Sequence, residues 1–127
     1  MEITFPGGVA VEACHDSFRI LTDQPGENGG TPSAPSPLLL LIASVGTCAG
    51  LNALRFCQQR QIPTDGLNLQ LDWERDEVSR QLTRINLRLT LPRDFPEKYQ
   101  QAILHAMDQC TVKRALLTPP QFSMTVR

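Results

Sequence analysis

The chain has 127 residues, 41% of them apolar and 20% charged, with a formal net charge of -1. That length is typical of one domain and allows one hydrophobic core, so residues 1–127 are expected to form a single domain. The balance of 12 Lys and Arg against 13 Asp and Glu, with no basic run, excludes a nucleic-acid binder that works by counterion release.

The N-terminus lacks the basic region and apolar core of a secretory signal, so a cytoplasmic location is expected. Ile3 and Phe5 alternate with polar neighbours up to the turn Pro6-Gly7-Gly8. Val9, Val11 and Ala13 alternate again, and Phe18 and Ile20 follow after His15-Asp16. A period of two over such short runs predicts three strands. Gly29-Gly30 and Pro32-Ser33-Ala34-Pro35 punctuate the segment from Asp23 to Pro37, which predicts a loop of about a dozen residues.

Ser36-Pro37 is a helix start, because Ser caps well and Pro suits a first-turn position whose N–H has no partner. A helix is predicted from Leu38 to about Gln61. Its first half is apolar nearly all round, and a helix apolar on every face is buried on every face, here inside an oligomer. The apolar run Leu38–Ile42 falls well short of the ~20 residues of a bilayer span and is expected in the interior. Gly46 and Gly50 each cost a helix ~1 kcal/mol relative to Ala, and close approach of another backbone is the expected reason for them.

Leu67, Leu69, Leu71 and Trp73 alternate with polar residues, as do Ile85, Leu87, Leu89 and Leu91 beyond the turn at Asp76 to Arg80. The pattern predicts an amphipathic antiparallel hairpin. Asp94 and Glu97 have capping-box spacing, and Tyr99, Ile103, Ala106 and Cys110 share one helical face. Thr118-Pro119-Pro120 ends the helical region, and Phe122, Met124 and Val126 alternate as a last strand. The order is βββ-α-ββ-α(α)-β, an α+β fold without internal repeat.

Four cysteines, Cys14, Cys48, Cys57 and Cys110, are too few for a disulfide scaffold and have no zinc-type spacing. Cys48 lies about eleven residues inside the long helix, beyond the help of that helix's own dipole, so its activation needs a cation from elsewhere in space. Cys57 is roughly 13 Å further along the axis, too far for a disulfide with Cys48. If Cys48 has a partner in this chain, Cys110 is the better candidate. The other reading of each cysteine is a small packed hydrophobe, which suits Cys14 and Cys57. Arg55, on the face of Cys48 two turns on, is either a source of charge or a solvated side chain. Lys113 and Arg114 stand just past Cys110. His15 and His105 have no partner at an informative spacing and read as surface residues.

The stretch from Ala34-Pro35-Ser36-Pro37 to Gly46-Thr47-Cys48 resembles the first-cysteine signature of OsmC-like proteins, the class of osmotically inducible protein C and organic hydroperoxide resistance protein. Gln61-Ile62-Pro63-Thr64-Asp65-Gly66 resembles that family's link into its central strands. Cys110-Thr111-Val112-Lys113-Arg114 is similar to its second-cysteine segment, normally Cys-Pro-Val. With the element order, the resemblance spans essentially the whole chain. It implies an intertwined homodimer, long helices at its centre against antiparallel sheet, with two sites at the subunit interface.

The resemblance also implies a thiol-dependent peroxidase of the oxidative stress response. Cys48 would take an oxygen from an organic hydroperoxide, Cys110 would resolve the product as a disulfide, and an external dithiol would reduce it, with no cofactor and no metal. Members active as peroxidases place a glutamate after the helix-opening proline and an arginine near the Gly-Gly turn of the N-terminal hairpin. Here Leu38 and Val9 follow those landmarks, and Arg19, the only Arg or Lys before Arg55, is the sole substitute. A second reading of the same resemblance is a non-catalytic dimer that binds a small apolar or electrophilic ligand or senses redox state.

Overall fold

The computed structural model describes all 127 residues and orders them into five strands and three helices. Strands β1 (Glu2–Gly7), β2 (Ala10–His15) and β3 (Phe18–Thr22) form an antiparallel sheet in that order. Ile3 pairs with Ala13 and Ala13 with Ile20, so the alternating apolar residues fall on one face, as the period of two requires. On that face Ile3, Phe5, Phe18 and Ile20 stay exposed.

The loop after β3 is organised by one carboxylate. Asp23 is only 3% exposed and accepts from the N–H groups of Gln24, Thr31 and Ser33 at 2.8, 3.2 and 3.0 Å. It also accepts from the hydroxyls of Thr31 and Ser33 at 3.0 and 2.8 Å. These donors, led by the Ser33 N–H, hold its carboxyl well below the usual carboxylate range. The cradle requires glycine at position 30, where a Cβ would lie 1.7 Å from the carbonyl oxygen of Gln24. Backbone cannot yield as a side-chain tip can, so Gly30→Ala is expected to unseat the loop. Limited proteolysis between residues 24 and 35 should then accelerate several-fold, and an unchanged digestion rate would refute this account.

The chain resolves into two compact units, Met1–Ala43 and Ser44–Arg127. Helix α1 (Pro37–Gln59) begins in the first and continues through the second. The hydroxyl of Ser36 accepts from the N–H of Leu39 at 3.3 Å, so the predicted cap forms, and the helix ends two residues short of the expected Gln61. At 23 residues α1 is long and apolar enough to cross a membrane by length and composition alone, which extends the five-residue apolar run considered from sequence. In the second unit it is a core helix. Its Ala49, Ala53, Phe56 and Cys57 cluster with Phe95, Ile103, Met107 and Cys110.

Strands β4 (Asn68–Arg75) and β5 (Leu82–Thr90) form the predicted hairpin. The pairs Leu69 with Leu89, Leu71 with Leu87 and Trp73 with Ile85 line one face. On the other face Asp72 meets Arg88 at 3.7 Å and Glu74 meets Arg84 at 3.8 Å, exposed pairs that hold register more than they stabilise. The expectation for the helix glycines is corrected here. A side chain, not another backbone, fills the gap at Gly46, where a Cβ would sit 2.9 Å from Leu71 Cδ1. At Gly50 the nearest atom, Leu69 Cδ2, is at an ordinary 3.7 Å.

Three further expectations change near the C-terminus. Pro96, extended at φ -61 and ψ 121, precedes a 3-10 turn at Glu97–Tyr99 with no side-chain cap, so the Asp94–Glu97 capping box does not form. Helix α2 (Gln100–Asp108) then stops before Cys110. The continuous face expected from Tyr99 to Cys110 is broken at Gln109, and Cys110 instead caps helix α3 (Thr111–Leu117). The predicted final strand is also absent. Residues 119–127 carry no regular structure, and Phe122, Met124 and Val126 are 85%, 94% and 96% exposed. An alternating sequence becomes a strand only where a sheet edge accepts its backbone groups, and none in this chain does.

Candidate functional site

The break between α2 and α3 builds the site. The N-terminal N–H groups of a helix have no intrahelical acceptors and carry the positive end of its dipole. At the start of α3 the Cys110 sulfur takes one of them, accepting from the N–H of Lys113 at 3.3 Å. Two others, the N–H groups of Val112 and Thr111, are directed at the sulfur of Cys48.

Cys48 is half-buried on α1, and its thiol is pulled below the ordinary thiol range. The Val112 N–H is the largest cause. The Cys110 thiol, the Thr111 N–H and the charge of Arg114 act the same way, against burial, which opposes ionisation. Cys110, 1% exposed, is pushed up, first by burial and further by the neighbouring Cys48. The two sulfurs are thus driven apart in acidity. Ionisation is favoured at Cys48 over Cys110, whose S–H can donate to it. Its alternative acceptor, the Val45 carbonyl, lies at a long 3.9 Å, so an ionised Cys48 is the stronger claim on that proton.

The sequence reading brought Cys48 and Cys110 together, and the structure does so. It assigned activation to a cation, whereas the Val112 N–H on a second helix is the largest cause of the lowering, the Cys110 thiol and the Thr111 N–H add to it, and the charge of Arg114 contributes least. Neither Val112 nor Thr111 was legible as a functional residue, because their side chains play no part. Lys113, the other basic neighbour considered, is engaged by Asp108. In the first unit Arg19 reaches Glu12 through Nη2 at 3.1 Å and Nε at 3.4 Å, largely exposed, with the Cys14 sulfur 3.5 Å from the same carboxylate. Leu38 is half-buried and supplies no carboxylate. Cys57 is wholly buried and pushed up by that burial, as a packing residue would be.

Beside Cys110 two small cavities adjoin, of about 160 and 320 Å³, sharing Val45, Leu87 and Lys113 as walls. Leu104 and Met107 line the first, Leu82, Ile85 and Leu116 the second. Their walls are mainly apolar, with Asp108, Lys113 and Arg84 also lining them, and together they could take a modest organic group. Cys110 lines the first cavity and Cys48 lines neither.

The sequence pattern of the OsmC-like protein family matches residues 29–125. The chain belongs to that family. Among solved structures it is similar to a protein of Psychrobacter arcticus 273-4 assigned provisionally to osmotic stress induction and the detoxification response. The TM-score is 0.78 at 22% identity, over 90% of this chain and 85% of that one. An OsmC-like protein of Mycoplasma pneumoniae gives a TM-score of 0.69 at 20% identity, over 87% and 80% of the two chains. At these identities the likeness establishes the α+β fold. No protein of curated function matches this sequence.

Proposed function

We propose that the protein is a cytoplasmic, homodimeric thiol peroxidase that reduces organic hydroperoxides through Cys48 and Cys110. The observation that carries this reading is the pairing of an acid-shifted Cys48 with a protonated Cys110 at the start of α3. The Cys48 thiolate attacks the terminal oxygen of the hydroperoxide. The O–O bond breaks, the alkoxide leaves and takes a proton, and Cys48 becomes a sulfenic acid. The Cys110 thiol then condenses with it, forming the disulfide and releasing water, and an external dithiol restores both thiols. Leu38 in place of the family's glutamate leaves the orientation of the peroxide to the Val112 and Thr111 N–H groups and to Arg114.

The test is a stoichiometric pulse of cumene hydroperoxide on the reduced protein. Cumyl alcohol should form mole for mole, with loss of two hydrogen atoms from the protein mass and a Cys48–Cys110 disulfide in the peptide map. Thiols that all remain reduced would remove the peroxidase reading and leave the ligand-binding dimer, which the absence of a carboxylate at Leu38 favours.

A further inference from the structure

A third cavity, of about 770 Å³, lies between the C-terminal half of α1 and α2, and the cysteine chemistry makes no use of it. Its lining gathers Arg55, Arg60 and His105 with four carboxamide side chains, Asn52 and Gln109 among them, and includes no Asp or Glu. In a chain of net charge -1 that is a local excess of positive charge. Arg19, Arg84, Arg88 and Lys113 each meet a carboxylate, and Arg55 and Arg60 do not.

Arg60 is also held in place. Its guanidinium stacks 3.7 Å from the centre of the Phe56 ring, and Nη1 donates to the Phe56 carbonyl at 3.3 Å. A guanidinium has five N–H donors in a rigid fork matched to carboxylate and phosphate oxygens, so most of its donors remain for a ligand. The volume falls within the ~300–1,000 Å³ of small-molecule sites and exceeds the need of an inorganic ion. Carboxamides, which both donate and accept, suit the hydroxyl or amide groups of an organic body.

We propose that this cavity binds a small organic anion, with its carboxylate or phosphate on Arg55 and Arg60 and its polar body among the carboxamides. The site is independent of the peroxidase reading, since it uses neither cysteine. Calorimetric titration of the reduced full-length protein with citrate and with adenosine monophosphate tests it, beside Arg55→Gln, Arg60→Gln and Cys48→Ser. Saturable binding of either probe is expected, weakened about tenfold or more by each arginine substitution, the scale of one charge-assisted hydrogen bond, and unchanged in Cys48→Ser. Citrate alone would mark a carboxylate site, adenosine monophosphate alone a phosphate site, and both a site that reads only the anionic group. Both arginines are exposed, so the variants should fold, which circular dichroism would check. No saturable binding of either probe, or binding that both folded arginine variants retain in full, would overturn the proposal.

Discussion

Cys48→Ser is expected to lose peroxide consumption altogether, whereas Cys110→Ser should consume one equivalent and stop at a sulfenic acid on Cys48, trapped by dimedone. The asymmetry follows from the acidity of the two sulfurs. The thiolate is the nucleophile, and the structure favours it at Cys48 by aiming the Val112 and Thr111 N–H groups and the Cys110 thiol there. Cys110 is buried and held protonated, so it cannot start the reaction. Oxidation of Cys110 in Cys48→Ser at the wild-type rate would reverse the assignment.

The same geometry predicts a pH dependence. Cys48 ionises below an ordinary thiol, so its alkylation rate should rise with pH and level off before that of a free thiol does. Its contribution to folding has the matching sign. An acid whose folded pKa is depressed adds stability above its unfolded pKa and loses it as pH falls through the folded one. Position 111 isolates the backbone contribution, because Pro is tolerated in the first turn of a helix yet has no N–H. Thr111→Pro should therefore move the alkylation midpoint to higher pH and slow reaction at neutral pH by about tenfold. Hydrogen bonds to charged groups contribute ~1.5–3 kcal/mol, and partial exposure favours the lower end. Thr111→Ala, which keeps the N–H, should change little. Equal effects from the two would assign the role to the side chain instead.

The second large effect concerns assembly. Wild-type protein is expected to sediment as a dimer, and Leu51→Lys combined with Leu54→Lys as a monomer. Leu51 and Leu54 are 42% and 37% exposed on α1, a helix otherwise rich in core residues. Phe5 and Phe18 are 80% and 70% exposed on the face of the β1–β3 sheet. Exposed large apolar side chains in either unit are what a partner subunit would cover. Burying an ammonium without a partner costs several kcal/mol, enough to weaken the dimer about a hundredfold or more. A monomeric wild-type protein would refute the intertwined arrangement.

Much of the fold was legible because its determinants are local. The hairpin from Leu67 to Leu91 follows from alternation that buries one face, and the start of α1 follows from Ser36 and Pro37, whose effects are confined to one turn. The last strand was misread for the converse reason. Phe122, Met124 and Val126 have the right period, but periodicity does not supply a partner edge. Cys110 was placed on a helical face because no Gly or Pro marks the stop at Gln109, and the break shows only in the backbone.

By itself, then, the sequence determined the order of the elements through the central hairpin, the apolar face of each of its strands and the two cysteines worth attention, all set by side-chain period and residue type over a few neighbours. Tertiary structure alone decided what lowers the pKa of Cys48. The N–H groups that favour its ionised form belong to residues more than sixty positions away, and a dipole acts through the distance and direction of folded space, which side-chain identity along the chain does not encode.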